Sequence, residues 1–281
     1  MTDRVGYYGG DGEKILRSRA ADAMHAVCTG RYVVSDFYDP LEQTILREQL
    51  EKGGFSEDRD YLFFGGYPFA ERRILFFLPE YLHGLHADAT AQRAFLVQSA
   101  RTYGAVGAVR VQGSGFREMS HRDYLGSLTG LGIERSVIGD IVPCDPFCAV
   151  VFFCQKIGAL LLNELCRIGK EAVRVTDETP ALEAGSLFLQ DPHRYAPFTD
   201  TVASLRLDCL IASICSVSRE QAQQKIERGM VRLDYRTVEK CDYSVQPPCC
   251  ISIHGYGRFR FERVAGISRR GRLRIFLQKY L

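Results

Sequence analysis

Residues 218–233, SREQAQQKIERGMVRL, encode a capped helix and the strand that follows it. Ser218 is a favoured N-cap residue, and Gln221 three positions later completes a capping box. The glycine directly after residue 228 can adopt the left-handed conformation that ends many helices. The stretch therefore predicts a helix over 219–228 and a short strand over 230–233.

Toward the C-terminus, basic and apolar residues alternate in two stretches. Over 257–264, Arg258 and Arg260 alternate with Phe259 and Phe261. The last strand repeats this pattern, with Arg272 and Arg274 opposite Leu273, Ile275 and Leu277. A period of two places the apolar set on a core and the arginines in solvent. Such a surface suits a sugar-phosphate backbone better than base edges.

Charge is distributed unevenly along the chain. Residues 206–281 hold 15 of the 36 basic residues and 7 of the 34 acidic residues, a net charge of +8. The rest of the chain carries −6. A basic domain on an acidic body is typical of a polyanion binder, although a merely solvated basic surface would give the same count. Charge alone does not decide between a nucleic-acid binder and a solvated surface.

The basic segment also contains a predicted first helix over 206–212. At the second helix, Arg219 lies beside an N-terminus whose free amides and dipole favour phosphate. We expect RNA contacts from the polar and basic positions of this segment: Arg206, Ser218, Arg219, Lys225, Arg228, Arg232, Arg236, Arg258, Arg260, Arg269, Arg270, Arg272 and Arg274.

In the middle of the chain, the sequence predicts an ordered succession of strands and helices. The pattern predicts strands over 106–111, 138–142, 149–154 and 172–175, and helices over 120–131 and 156–168. The order β-α-β-β-α-β is that of the ferredoxin-like fold, which RNA-recognition-motif domains share. No basic-Gly-aromatic consensus marks the third strand, so Phe152 and Phe153 favour core packing over a base-stacking face.

The N-terminal segment is mixed. Helices are predicted over 13–28 and from Pro40 to about Gly53, with strands over 61–64 and 74–78. The chain as a whole is therefore predicted to be α+β. Three domains are expected: an N-terminal mixed α/β domain at 1–85, a central RRM-like domain at 86–178, and a linker with the basic domain at 179–281.

Ten cysteines without a Cys-x-x-Cys pair, most of them in apolar runs, favour buried free thiols in a reducing compartment. Residues 1–12 are polar and Gly-rich, unlike a signal peptide. No apolar stretch approaches the roughly 20 residues that span a bilayer. We expect a cytoplasmic protein without a membrane, cofactor, metal or small-molecule substrate.

Several motifs in the basic segment resemble a known RNA-binding domain. They are Arg206-Leu207-Asp208, Ser218-Arg219, Ala222, Ile226, Gly229, Val231 and Ile251-Ser252-Ile253. Together they resemble the domain of ribosomal protein S-four, the alpha-L motif, which recurs in RNA-modifying enzymes. The chain departs from that pattern at Asp234, where an Asn is usual, and at Pro248-Cys249, where a Gly-Asp pair is usual.

A wider resemblance covers nearly the whole chain. It rests on residues 65–72, 120–126, 131–135, 138–142 and 255–259. These are similar to signatures of the bacterial YlmH family. The resemblance implies association with the large ribosomal subunit and with rescue of stalled ribosomes, where the family holds peptidyl-tRNA. It also implies a link to cell-division gene clusters.

The central signature adds a possible second RNA surface at His121, Arg122 and Arg135. His121-Arg122-Asp123 also mimics a kinase catalytic loop, but a kinase needs an Asn where this chain has Leu128. A helix start is the structural alternative for this motif.

Other motifs are weaker indications of a catalytic, metal-binding or phosphate-binding site. Arg206-Leu207-Asp208 resembles a pseudouridine-synthase motif, although Asp208 is expected to pair or to cap a helix. Cys144 and Cys148 could hold zinc only with further ligands. His83 and His86 are expected to be exposed loop residues. Residues 113–115 could cradle a phosphate or form a plain turn.

Three function classes remain open at this point. The first is a non-enzymatic RNA-binding factor of the ribosome, binding rRNA, tRNA or both. The second is an RNA-modifying enzyme that uses the basic segment for targeting. The third is a protein-interaction adaptor that docks through the acidic body.

Overall fold

The computed structural model describes residues 10–187, 189–192 and 194–281. The chain forms two compact units, residues 1–192 and 193–281. Both combine helices with antiparallel sheets, so the α+β class is confirmed. The expectation about a signal peptide falls mostly outside the described residues, as does the part of the predicted linker at His193.

The N-terminal part of the first unit packs two helices on a three-stranded sheet. Its elements are α1 (Gly10–Cys28), β1 (Val33–Tyr38), α2 (Pro40–Lys52), β2 (Tyr61–Phe64) and β3 (Arg73–Phe77). The sheet order is β1-β3-β2, with antiparallel neighbours. Asp39 and Glu42 form a complete capping box at the start of α2. Both helices and both apolar strands were predicted, whereas β1 was not.

The rest of the first unit is built on a five-stranded sheet. Its elements are α3 (Ala89–Thr102), β4 (Val106–Gly113), α4 (His121–Gly130), β5 (Ile138–Asp145), β6 (Cys148–Cys154), α5 (Gly158–Glu164), β7 (Arg167–Ile168), β8 (Glu171–Asp177) and α6 (Thr179–Glu183). The strand order is β5-β6-β4-β8-β7, again with antiparallel neighbours. Helix α3 was not predicted.

One helix prediction in this region is wrong. The helix expected over 156–168 is confined to α5, and Ile168 lies in β7 instead. Gly169 has a φ of +59° and forms the turn between β7 and β8 rather than a helix C-cap. Ile168 is buried by this hairpin, so tertiary packing overrides the helical pattern.

The N-terminal and central parts of the first unit share a hydrophobic core. Phe37, Phe64 and Tyr67 cluster with residues of β4 and β6. The Tyr67 ring stacks on Phe152 with ring centroids 4.8 Å apart. Phe152 and Phe153 are buried, which confirms core packing. The domain boundaries at 85/86 and 178/179 stay predictions.

The second unit covers one face of a six-stranded sheet with two helices. Its elements are β9 (Tyr195–Val202), α7 (Leu207–Cys215), α8 (Arg219–Glu227), β10 (Val231–Leu233), β11 (Arg236–Thr237), β12 (Cys249–Ile253), β13 (Gly257–Ile267) and β14 (Leu273–Tyr280). The order is β11-β10-β12-β13-β14-β9. Phe259, Phe261, Ile275 and Leu277 are buried with both helices in one core, as the alternation predicts.

The segment interpreted as a linker is largely structured. Residues 179–183 form α6, and β9 pairs with β14 along eight consecutive positions, from Tyr195–Tyr280 to Val202–Leu273. Pro197, which the sequence analysis interpreted as a turn signal, therefore lies inside a strand. A proline is tolerated in β9 because this strand is a sheet edge.

All ten cysteines are free thiols, but only Cys148, Cys154 and Cys215 are buried. The expectation that most are buried is therefore wrong, since Cys28 and Cys144 lie at element ends where the chain leaves the core. Among the described residues, no helix combines the length and apolar character that crossing a membrane requires.

Candidate nucleic-acid interface

The two helices of the second unit are joined by one buried carboxylate. Asp208, in the first turn of α7, is fully buried. Its carboxylate accepts hydrogen bonds from Arg206 Nη2 at 3.0 Å, Arg219 Nε at 3.0 Å and Gln223 Nε2 at 3.0 Å. Burial acts to raise the pKa of Asp208, but the bonds from Arg206, Gln223 and Arg219 outweigh it and hold the pKa well below its usual range.

This arrangement changes the interpretation of two predicted RNA-contact residues. The side chains of Arg206 and Arg219 are 40% and 53% exposed, yet both guanidinium groups are bonded to Asp208. Both arginines therefore pair with this carboxylate. The expectation that Asp208 pairs or caps a helix is met by this pairing. Each keeps an exposed edge that can donate to a phosphate, because a guanidinium carries five N–H donors.

The start of α8 is built as the sequence predicts. The Ser218 hydroxyl accepts from the Gln221 amide at 3.2 Å, and the Gln221 side chain accepts from the Ser218 amide at 3.1 Å. The Ser218 hydroxyl is therefore used in the cap.

The sheet face away from α7 and α8 combines arginine with aromatic rings. Arg232, Ser252 and Arg258 are cross-strand neighbours on this face. The Arg258 guanidinium lies 3.9 Å from the ring centroid of Tyr280, and Tyr280 contacts Tyr195 edge-on at 5.0 Å. Arginine on an aromatic face gains a cation–π attraction that also fixes its direction. Sequence reasoning missed Tyr195 because its strand, β9, was not predicted, and it did not single out Tyr280 at the end of β14.

Some of the remaining predicted contact residues already have a partner inside the protein, and others are available to bind RNA. Arg260 pairs with Glu262 at 3.0 Å, Arg272 Nη2 donates to the Thr201 carbonyl at 2.6 Å, and Lys225 lies 4.9 Å from the Tyr256 ring. Among the predicted contacts, five exposed arginines have neither an ion pair nor a side-chain hydrogen bond within the described part of the chain: Arg228, Arg232, Arg269, Arg270 and Arg274. Arg236 lies in β11, half-buried. The available charge is thus concentrated on the C-terminus of α8, on β10, and around the turn between β13 and β14.

The departure from the alpha-L pattern at Asp234 is structurally conservative. Asp234 and Tyr235 have φ values of +44° and +69° and form the tight turn between β10 and β11. The Asp234 carboxylate accepts from the Cys250 amide at 2.8 Å. An aspartate tolerates this left-handed conformation almost as well as an asparagine.

The second predicted surface lies at the start of α4 in the first unit. Ser120 and Asp123 form a capping box, which confirms the helix-start interpretation. Arg135 donates to the carbonyl oxygens of Ile138 at 2.8 Å and Gly139 at 3.0 Å, so this side chain is largely structural. Desolvation lowers the pKa of His121, and the charge of Arg135 acts in the same direction. Arg122 is exposed.

The loop at residues 113–115 already binds a carboxylate. The Ser114 amide donates to Glu171 Oε1 at 2.9 Å, and the Ser114 hydroxyl bonds the same oxygen. Glu171 is buried, so this oxygen fills the position that a phosphate would need.

Two other chemical motifs resolve as structural features. No group of three metal-ligating side chains occurs among the residues that the structure describes, Cys144 and Cys148 included. The expectation that His83 is exposed is wrong: its side chain is mostly buried, and Nε2 lies 2.7 Å from the Leu78 carbonyl oxygen.

Comparison with known proteins adds to this geometry. Residues 109–181, from β4 to α6, match the family model described as "Putative RNA-binding domain in YlmH". The curated protein "Ribosome-associated protein quality control protein P2" of Bacillus subtilis (strain 168) is 29% identical over 252 residues, which are 89% of this chain and 88% of that protein. Over residues 109–181, the chain is thus similar to the domain that this YlmH family model describes.

A solved YlmH protein is also similar. "Cell division protein ylmH" from Streptococcus pneumoniae covers 62% of this chain and 94% of its own, with 15% identity and a TM-score of 0.45. The YlmH family model includes His121, Arg122 and Arg135, and it ends before the basic second unit.

Proposed function

We propose that the protein is a non-enzymatic RNA-binding factor of the large ribosomal subunit, which contacts rRNA, peptidyl-tRNA or both during quality control of stalled ribosomes. The observation that carries this proposal concerns five of the predicted contact arginines in the second unit, which are exposed and have neither an ion pair nor a side-chain hydrogen bond within the described residues. The name of the Bacillus subtilis relative supports the ribosomal setting. A ribosomal partner implies a cytoplasmic location, and the family resemblance adds a link to cell division.

The proposal assigns two RNA-binding folds. The order β5-β6-β4-β8 with antiparallel neighbours supports a ferredoxin-like, RRM-like domain in the first unit. The joined helices α7 and α8, followed by the short strands β10 and β12, support an alpha-L domain in the second unit. Fold likeness alone does not assign a function, so the charged residues must carry it.

The character of the arginine set favours the RNA backbone as its ligand. Guanidinium groups bind phosphate oxygens in a bidentate manner, and exposed ones need lose no internal partner to do so. The Arg258–Tyr280 pair offers a platform on which a base or ribose could rest. Sequence-independent contacts of this kind predict strong salt dependence.

Salt dependence of RNA binding tests the proposal directly. Arg269 and Arg270 lie in an exposed turn, so R269A/R270A should keep the fold. Binding to purified large ribosomal subunits is measured by sedimentation from 50 to 300 mM salt. Losing two phosphate contacts should lower the slope of log K against log salt by about 2.

The matched control is R31A/K52A, which removes two exposed cations from the first unit. This control should keep the wild-type slope. The proposed surface is wrong if R269A/R270A and the control are equal. A nucleotide modification missing from the rRNA of a deletion strain would overturn the non-enzymatic part of the proposal.

A further inference from the structure

Phe116 is the most exposed large apolar side chain among the described residues, at 93%. It lies in the loop between β4 and α4, within the region that matches the family's RNA-binding domain. The other phenylalanines of this region behave differently, since Phe152 and Phe153 are buried. A single exposed apolar side chain is common on protein surfaces, so exposure alone does not make Phe116 a contact. Its place in a loop held at both ends and next to arginine is what makes it a candidate.

The loop is fixed at both ends. On the β4 side, the Gly113 amide donates to the Phe147 carbonyl at 2.8 Å, and Ser114 is bonded to the buried Glu171. On the α4 side, the Met119 amide donates to the Pro146 carbonyl at 2.9 Å, and the Met119 side chain is buried. Both ends of the loop are therefore held by hydrogen bonds, and Phe116 lies midway between them, at the tip of the loop.

Two exposed arginines lie close to Phe116 in the sequence. Arg117 follows Phe116 directly, and Arg122 lies in the first turn of α4. After the hydrogen bonds from Ser120, the charges of these two arginines further lower the pKa of Asp123, so both lie close to the start of α4. Two acidic residues, Glu118 and Asp123, lie in the same stretch. The Asp123 carboxylate accepts a hydrogen bond from the Ser120 amide in the helix cap. An aromatic ring flanked by arginines is the arrangement that stacks on an unpaired base while cations meet its phosphates.

We propose that Phe116 stacks on an unpaired RNA base, with Arg117 and Arg122 binding the adjoining phosphates. The inference rests on the proposed RNA-binding function and adds a contact that reads single-stranded or bulged RNA. Sequence reasoning missed this residue, because one phenylalanine in a Gly-Ser loop carries no periodic signal. Its only sequence signal is a large aromatic residue next to arginine in an otherwise polar turn.

The absence of tryptophan from this chain allows a direct test. Phe116→Trp introduces a single tryptophan, which can be excited selectively over the tyrosines of the chain. Stacking on a base quenches tryptophan emission. The full-length variant is titrated with a 12-nucleotide oligo(A) RNA and with a 12-base-pair RNA duplex, while filter retention measures binding independently. We expect quenching by oligo(A) and much weaker quenching by the duplex.

Two further variants complete the design. Phe116→Ala should weaken oligo(A) binding by about tenfold, the usual loss for one stacked base, and should leave the unfolding midpoint unchanged. Phe69→Trp, at a half-exposed position outside the matched region, should bind oligo(A) without quenching.

The outcomes separate the two proposals. Retention of oligo(A) by the Phe116→Trp protein with unchanged emission overturns the stacking contact and leaves RNA binding intact. Emission that changes with large subunits but not with their extracted RNA overturns it in favour of a protein contact. If neither oligo(A), duplex nor large subunits bind the wild-type chain, both proposals fail.

Discussion

Replacing Asp208 with asparagine should destabilise the second unit far more than its small change in volume suggests. The substitution removes the negative charge but keeps the shape of the side chain. In the structure the carboxylate accepts from Arg206, Arg219 and Gln223 while fully buried. An asparagine keeps one acceptor oxygen and turns an NH2 group toward donors that it cannot satisfy.

The magnitude follows from these three bonds. Hydrogen bonds to a charged group contribute about 1.5–3 kcal/mol each, and removing one partner of a fully buried pair costs about 3–5 kcal/mol. Arg206 and Arg219 are about half exposed, so water compensates part of their loss. We therefore expect a loss of about 2–3 kcal/mol in the unfolding free energy of the second unit. For a unit of this size that lowers Tm by roughly 10–20 °C.

The effect should also depend on pH in a defined direction. The folded pKa of Asp208 lies below its ordinary value of about 3.9. Its contribution to stability is therefore fully present above about pH 5 and is lost as pH falls below 4 toward the folded pKa. The difference between wild type and D208N should be constant from pH 7 to 5 and should shrink below pH 4.

Urea unfolding followed by circular dichroism measures the loss, and hydrogen exchange of α7 and α8 locates it in the second unit. The control is Asp242→Asn, which changes an exposed aspartate whose Oδ1 lies 3.9 Å from Lys240 Nζ. That variant should stay within about 0.5 kcal/mol of wild type. The interpretation of Asp208 as the centre that joins α7 to α8 is refuted if D208N and D242N are equally stable.

Two further variants examine the first unit. Asp140→Asn should lower the free energy of unfolding by about 2 kcal/mol, because Asp140 accepts hydrogen bonds from the Tyr67 hydroxyl at 3.0 Å and from two amides of the same loop. Thermal unfolding measures this loss, and an unchanged Tm would contradict the prediction. Gly66→Ala should cost about 1–3 kcal/mol more than Gly54→Ala, since both glycines have positive φ but only at Gly66 would a Cβ meet Phe152, at 2.6 Å. Equal urea midpoints for the two alanine variants would show that the Phe152 ring can move aside without a loss of stability.

Local patterns predicted local structure well in this chain. The predicted N-cap residues Asp39, Ser120 and Ser218 each begin a helix, because a cap is decided by a few neighbouring residues. The alternation over 257–264 correctly placed Phe259 in the core. These signals depend on the chain's own neighbours and need no tertiary information.

The failures share a different cause. Strand β9 has no regular alternation of apolar and polar residues, is partly exposed and contains Pro197, so its sequence does not mark it as a strand before β14 pairs with it. The helix predicted to reach Ile168 ends early, because that side chain is buried by the β7–β8 hairpin. Both outcomes were decided by residues distant in sequence, which periodicity does not register.

Counting charge located the basic unit but could not rank its arginines. Arg206 and Arg219 belong to the same +8 segment as Arg269 and Arg270, yet the first pair is bonded to a buried carboxylate and the second is exposed without an ion pair. Because a bonded guanidinium must give up or share its partner to bind phosphate, its substitution mixes stability with affinity. Only substitutions at the available arginines report on RNA contact alone. A loss of binding in R219A would therefore say little about RNA, whereas the same loss in R269A/R270A would identify the surface.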